Sequence, residues 1–251
     1  MVLLTSLLTL AEPVTNYRSG GTFIGAVICE DGIVVASDSR TTFMDGGGRA
    51  FGYIDGMPKI YAGNGAAVAM SGQTNLDKEL FSSFVRRNEY LLARSVNEIL
   101  FGFLVWLPIE NSDGVGLISA GFLDGKPMIC AKSPILPQSC SNVGFFASKN
   151  SVLLRNTLMK LGRMPTTSEG AAALKAAIEQ YSRTDPAVGG PISILKLRNG
   201  AAPEWLENPA SDNGLSRICE LVSEHRTGRM RILPVGASSD LERRLNAACP
   251  R

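Results

Sequence analysis

GTFIGAVICEDGIVVASDSR, residues 21 to 40, decides how this chain is read. Thr22 to Ile28 alternates loosely between β-branched and small residues. Glu30-Asp31-Gly32 is a turn signal, and Ile33 to Ser37 is a second apolar run. Two such runs about a D-G turn predict a β-hairpin. Antiparallel pairing then brings Thr22, at the head of the first strand, beside Asp38, at the tail of the second. A threonine hydroxyl is a weak nucleophile unless a base stands next to it, and the one base a threonine carries on its own backbone is a free α-amine. A nucleophilic Thr22 therefore requires scission of the Gly21–Thr22 bond, and residues 1–21 are expected to be a removable pro-segment. Residues 1–12 faintly resemble a signal peptide, but they lack a positively charged start and an A-x-A cleavage site.

Outward from this stretch, Thr41 to Gly56 is polar and glycine-rich and is expected to be a loop. Lys59 to Ala62 and Ala66 to Met70 flank Gly63-Asn64-Gly65, a second hairpin with an N-G turn. Ser71-Gly72 closes it. Leu76, Leu80, Phe81, Phe84 and Val85 have helical spacing, so a long helix is expected from there to about Trp106, with Pro108 near its end. Gly114 to Leu123 and Lys126 to Lys132 read as strands joined by Asp124-Gly125. Val152 to Leu161 and Ala171 to Ile178 read as helices, the second with Thr167-Ser168-Glu169 near its start as a cap. Pro191 to Leu197 is the last strong strand, and residues 213–227 and 239–248 read as surface helices. This order predicts an α+β fold, with stacked antiparallel sheets covered by helices.

Composition narrows the function. Of 251 residues 45% are hydrophobic, which suits one globular domain with a short extra segment. The net charge is +2, from 25 basic and 23 acidic residues without a basic run, so nucleic acid is not an expected partner. No apolar run is long enough to span a bilayer. Five cysteines (Cys29, Cys130, Cys140, Cys219, Cys249) include no C-x-x-C pair. Neither a disulfide framework nor a zinc site is expected, and a reducing, cytoplasmic setting is. Cys140 is weighed as a reactive thiol. The single histidine, His225, reads as part of an exposed helix end, which removes the commonest general base.

Three blocks carry a family resemblance: GTFIGAVICEDGIVVASDSRTT (21–42), PKIYAGNGAAVAMSG (58–72) and DPAVGGPISIL (185–195). In this order they are similar to the proteasome β-type subunits, which are N-terminal-nucleophile hydrolases. The resemblance implies a four-layer αββα sandwich over residues 22–200, with 201–251 as a C-terminal helical extension packing on the domain or a neighbour. It implies Thr22 as nucleophile, Lys59 beside it, Asp38 orienting Lys59, Arg40 bracing the site, and the Gly72 N–H in an oxyanion hole. Asp185 matches an acid near the new amino terminus, and Ser148 matches a supporting serine more loosely. Thr41, Met57, Tyr61, Met70 and Thr74 would line the pocket for the residue before the cut, an apolar mixture that suggests cleavage after hydrophobic residues. No cofactor or metal is implied. Partners would be polypeptide substrates and further copies of the chain in a ring or related homo-oligomer.

The sequence departs from that pattern in places. Phe23 stands where many relatives have a small hydroxyl residue, and Val188 where the family has serine; valine cannot donate the hydrogen bond that helps hold the amino terminus. The glycines that usually flank the supporting serine are missing around Ser148. Three functions therefore stay open: a self-processing threonine peptidase, a non-catalytic proteasome-like scaffold that keeps its leader, and an amidase of small molecules on the same fold.

Overall fold

Alternating small and β-branched residues carry the chain through its first two strands, β1 (Ile24–Cys29) and β2 (Gly32–Ser37), in which every residue is buried. The computed structural model describes residues 22–44, 50–72, 75–76, 79–80, 85, 88–106, 115–132, 138–149 and 151–207. The hairpin turns on Glu30-Asp31, with Cys29 opposite Gly32 and Ile24 opposite Ser37. Next come β3 (Thr41–Met44) and β4 (Ala50–Ile54), paired with each other. The described part of 41–56 thus holds a small ladder, not the plain loop expected; four- and five-residue strands leave too little alternation to read. Strands β5 (Ile60–Ala62) and β6 (Ala67–Gly72) form the second hairpin.

Among the described residues the stretch expected to be one long helix is not one; Phe81 and Phe84 lie outside them. Asn75–Leu76 (β7) and Glu79–Leu80 (β8) pair as a two-stranded ladder, a 3-10 turn spans Glu89–Ala93, and the helix α1 covers only Val96–Trp106. Short apolar runs fit either period, and pairing overrode the local pattern. Two long strands follow, β9 (Val115–Leu123) and β10 (Lys126–Lys132). Asp124 and Gly125, between them, have φ of 51° and 74°, the left-handed pair that a type I′ hairpin turn demands. Edge strands β11 (Ser139–Ser141) and β12 (Phe145–Ala147) precede two helices, α2 (Val152–Lys160) and α3 (Thr167–Ser182). The cap of α3 lies one residue earlier than expected: Thr166 and Glu169 form a reciprocal capping box. The chain then forms β13 (Ser193–Leu197) and β14 (Glu204–Glu207). β14 pairs with β13, so the sheet runs past the boundary expected at residue 200. The helices expected at 213–227 and 239–248, and His225, lie outside the described residues.

Two antiparallel sheets result, ordered β12-β1-β2-β13-β14 and β11-β10-β9-β6-β5. Three buried clusters define the layers. Ile24, Ile33, Val35, Ala69, Ile118 and Leu195 meet between the sheets. Phe23, Val27, Val34, Leu154, Leu174 and Ile178 fill the space between the first sheet and the helices α2 and α3. Val68, Met70, Ile99, Leu100, Phe103 and Leu117 fill the space under α1. The fold is an α+β, four-layer αββα sandwich. Each large apolar side chain buried in these layers contributes about 1.5–3 kcal/mol relative to exposure.

Cys130 and Cys140, directly opposite across β10 and β11, are joined by a disulfide with their Cα atoms 4.0 Å apart. This corrects the expectation that disulfides are absent and removes Cys140 as a free reactive thiol. The pairing depends on strand register, which cysteine spacing does not reveal. Disulfides persist in oxidising surroundings, so the cysteine argument for a reducing, cytoplasmic setting no longer holds. Cys29 is a buried free thiol; burial, reinforced by Asp31, pushes its pKa to about 12 and leaves it inert. Among the described residues no helix is long and apolar enough to cross a membrane.

Candidate active site

The first hairpin delivers two of the site residues. Antiparallel register carries Phe23 opposite Asp38: Asp38 N–H donates to the Phe23 carbonyl at 3.1 Å, and Phe23 N–H donates to Asp38 Oδ1 at 2.9 Å. Thr22 and Asp38 therefore sit together at the open end of the hairpin. The other sheet supplies Lys59, just before β5, whose carbonyl accepts Met70 N–H from β6 at 3.0 Å. The site lies where the two sheets meet at one end of the sandwich.

All three side chains are buried: Thr22 is 5% exposed, Asp38 0% and Lys59 3%. Lys59 Nζ lies 3.1 Å from Thr22 Oγ1, 3.0 Å from Asp38 Oδ1 and 2.5 Å from the Arg40 carbonyl oxygen. Three acceptors match the three protons of an ammonium. Burial nevertheless pushes the Lys59 pKa down, against the pull of Asp38. Burial thus favours the neutral amine, and in that form Nζ can accept the Thr22 hydroxyl proton.

Asp38 is saturated with donors. Oδ1 accepts from Phe23 N–H and Lys59 Nζ; Oδ2 accepts from Arg40 N–H and Gly189 N–H, each at 3.1 Å. Burial pushes its carboxyl pKa up, while Lys59 and the backbone N–H groups pull it down. All four of these contacts come from N–H donors, which favour the ionised carboxylate against its burial.

Arg40 reaches outward. Its guanidinium grips Asp55 with two bonds, of 2.8 and 3.0 Å, and donates to the Pro186 carbonyl at 2.9 Å. Ser148 Oγ donates to the Thr22 carbonyl at 3.1 Å and accepts from Ile24 N–H at 3.0 Å, which pins the head of β1. Gly72 ends β6 with φ of 95°. The polar contacts of Asp185 are with Lys149 Nζ at 3.1 Å and Ala187 N–H at 3.0 Å, not with Thr22, Asp38 or Lys59.

Four of the five expected pocket residues lie among the described residues. Thr41 is buried, and its hydroxyl has no partner among the described residues. Met57 is buried, and its N–H donates to the Ser39 carbonyl. Tyr61 donates to the Pro58 carbonyl at 2.9 Å and packs, like Met70, in the core under α1. Thr74 and Gly21 lie outside the described residues. A cavity of about 460 Å³ opens elsewhere, behind Arg40 and Gly189, against Lys175 and Ile178 of α3 and Glu207 of β14.

Two of the three departures from the family pattern, Phe23 and Val188, turn out to be core residues. Phe23 is 0% exposed under α3, its ring 5.6 Å from that of Tyr181, and Val188 is 0% exposed in the same cluster. Asp55 and Gly189 were not singled out from sequence. The Gly189-Gly190 pair was the available signal, because these glycines allow close backbone approach. A Cβ on Gly189 would lie 2.7 Å from Arg40 Cζ; one on Gly190, where φ is 73°, would lie 2.8 Å from both Asp55 Cγ and Ser39 Oγ.

No family model and no curated protein matches the chain. Among solved structures it is similar to the Gly-1 mutant of Anbu from Hyphomicrobium sp. strain MC1, with a TM-score of 0.51 and 16% identity, covering 86% of this chain and 100% of that one. A second Anbu structure from that strain has a TM-score of 0.49 and 14% identity, covering 85% of this chain and 100% of the other. At 16% identity the first likeness is one of fold alone, and the fold is proteasome-like.

Proposed function

We propose that this protein is a self-processing threonine peptidase with Thr22 as its nucleophile. The observation that carries this reading is the buried Thr22–Lys59–Asp38 contact, with Lys59 Nζ 3.1 Å from the hydroxyl and 3.0 Å from the carboxylate. A buried lysine pair has little value as a stabilising device, and a hydroxyl beside a lysine of lowered pKa is how a weak nucleophile becomes reactive.

In the full-length chain Thr22 N belongs to the Gly21–Thr22 peptide bond. Thr22 Oγ attacks the Gly21 carbonyl carbon as neutral Lys59 takes the hydroxyl proton. The C–N bond breaks, the nitrogen gains a proton, and Gly21 is left as an ester on Thr22. Water hydrolyses the ester, leaving a carboxylate on Gly21 and a free amine on Thr22. That amine, with an ordinary pKa of about 8, then serves as base when Oγ attacks a polypeptide substrate. Gly72 N–H is the proposed oxyanion donor, a kind of contact worth about 2.7–4 kcal/mol. Arg40 and Ser148 hold the frame, and Thr41, Met57, Tyr61, Met70 and Thr74 are proposed to shape a pocket for a hydrophobic residue. The working form is proposed to be a homo-oligomer.

Intact mass tests this reading. Wild-type protein should lose residues 1–21 and cut peptides after hydrophobic residues, and Thr22→Ala should stay full length and inactive. Wild-type protein that stays full length and cuts no peptide would overturn it. The second reading, a scaffold that keeps its leader, draws support from the engagement of Asp185 by Lys149, because the resemblance places that acid near the new amino terminus.

A further inference from the structure

Asp55 lies just after β4 and is linked to Asp38 and to the turn at Gly189 through Arg40. It holds Arg40 through two parallel hydrogen bonds, and a third guanidinium bond goes to the Pro186 carbonyl. Pro186 begins the turn that ends in Gly189 and Gly190, and Val188 N–H closes that turn onto the Asp185 carbonyl at 3.0 Å. Arg40 N–H and Gly189 N–H are the two donors to Asp38 Oδ2. The packing leaves no slack, since a methyl on Gly189 would strike the guanidinium and one on Gly190 would strike the Asp55 carboxyl. Ser39 is clamped from both sides as well: its N–H donates to the Gly189 carbonyl at 3.1 Å, and its hydroxyl accepts Gly56 N–H at 3.1 Å.

We infer that Asp55 is a positioning residue for the Thr22 site, acting through Arg40 and the 186–190 turn to fix the N–H donors on Asp38. The inference rests on the function proposed above. The Arg40–Asp55 pair is partly exposed, at 16% and 33% of the side chains, so its charge contributes little to stability. A bidentate fork instead fixes direction. Without Asp55 the guanidinium loses its two-point grip, so the Pro186 carbonyl it holds, and with it the Gly189 N–H on Asp38, is fixed less tightly. A carboxylate that loses an N–H donor becomes more basic.

The experiment compares wild type, Asp55→Asn, Asp55→Glu and, as a control of lowered stability, Asp31→Ala. Release of residues 1–21 is followed by intact mass across pH. Asp55→Asn should slow release by about 10- to 100-fold, as small misplacements of catalytic groups do, and move the acid limb of the profile to higher pH. Asp55→Glu should recover part of the rate. Asp31→Ala should leave both limbs where they are. In parallel, the Asp38 carboxyl carbon is titrated by NMR in the Thr22→Ala protein, with and without Asp55→Asn; its midpoint should rise when Asp55 is replaced. An unchanged midpoint overturns the inference whether or not the protein cleaves itself. Wild-type protein that releases no leader, with a midpoint that still moves, overturns the peptidase and leaves the positioning intact.

Discussion

The β1–β2 hairpin carries an aspartate at each end of its second strand, and the two live in opposite physics. Asp31, at the turn, is partly exposed: it accepts Thr167 N–H and the Thr167 hydroxyl, each at 2.7 Å, and faces Lys196 Nζ at 3.2 Å. Slight burial works to raise its pKa, but those donors prevail and hold it at about 2. Asp38, at the open end, has more donors and no exposure, and burial pushes its pKa the other way. Burial, not the number of partners, sets the sign. The solvated carboxylate accepts the first N–H of α3, next to the Thr166 cap, and stabilises the fold. The dry one costs stability and is kept beside a lysine and a hydroxyl, where a stabilised charge has chemical use.

The largest expected effect breaks the dry end. Asp38→Asn leaves Lys59 buried without its counter-charge and should cost about 3–5 kcal/mol, read by urea unfolding. Leader release should be lost with it. Asp38→Asn combined with Lys59→Met should regain most of that stability, because neither side chain then strands a buried charge; a double variant as unstable as the single one would contradict this account of the site. At the wet end, Asp31→Ala should cost only about 1 kcal/mol, the value of a lost helix cap, with leader release unchanged.

The smallest effect is in pH dependence, and the two ends should differ in sign. Asp31 has a native pKa of about 2 against an ordinary 3.8. Between these values the unfolded chain binds more protons, so stability rises with pH. The Asp31 contribution is present above about pH 4 and is lost as pH falls towards 2. Asp38 is raised, so the native state binds more protons just above pH 3.8, and its own contribution falls as pH rises through that window. Urea unfolding of wild type and Asp31→Ala between about pH 2 and 5 should show a shallower acid slope in the variant. Equal slopes would mean that Asp31 does not hold the start of α3.

Much of this was legible in the chain. The β1–β2 hairpin, the Asp124-Gly125 turn, and the helices α2 and α3 follow from period and turn chemistry. Thr22, Asp38 and Lys59 followed from a motif, and the fold brings their polar atoms within hydrogen-bond distance. The misses share a cause. The β3–β4 and β7–β8 ladders are too short to show a period, and β14 exists because β13 offers it an edge. The Cys130–Cys140 bond depends on the register of β10 against β11. Asp55 is one carboxylate among many until the 186–190 turn folds against Arg40.

By itself the sequence determined the local elements and the residue types the chemistry needs, because period, turn residues and caps act over a few neighbours. The tertiary structure alone decided which strands share an edge, which cysteines meet, and which aspartate is dry. Those depend on contacts between distant segments, and water is excluded from a side chain only when two sheets and a loop close over it.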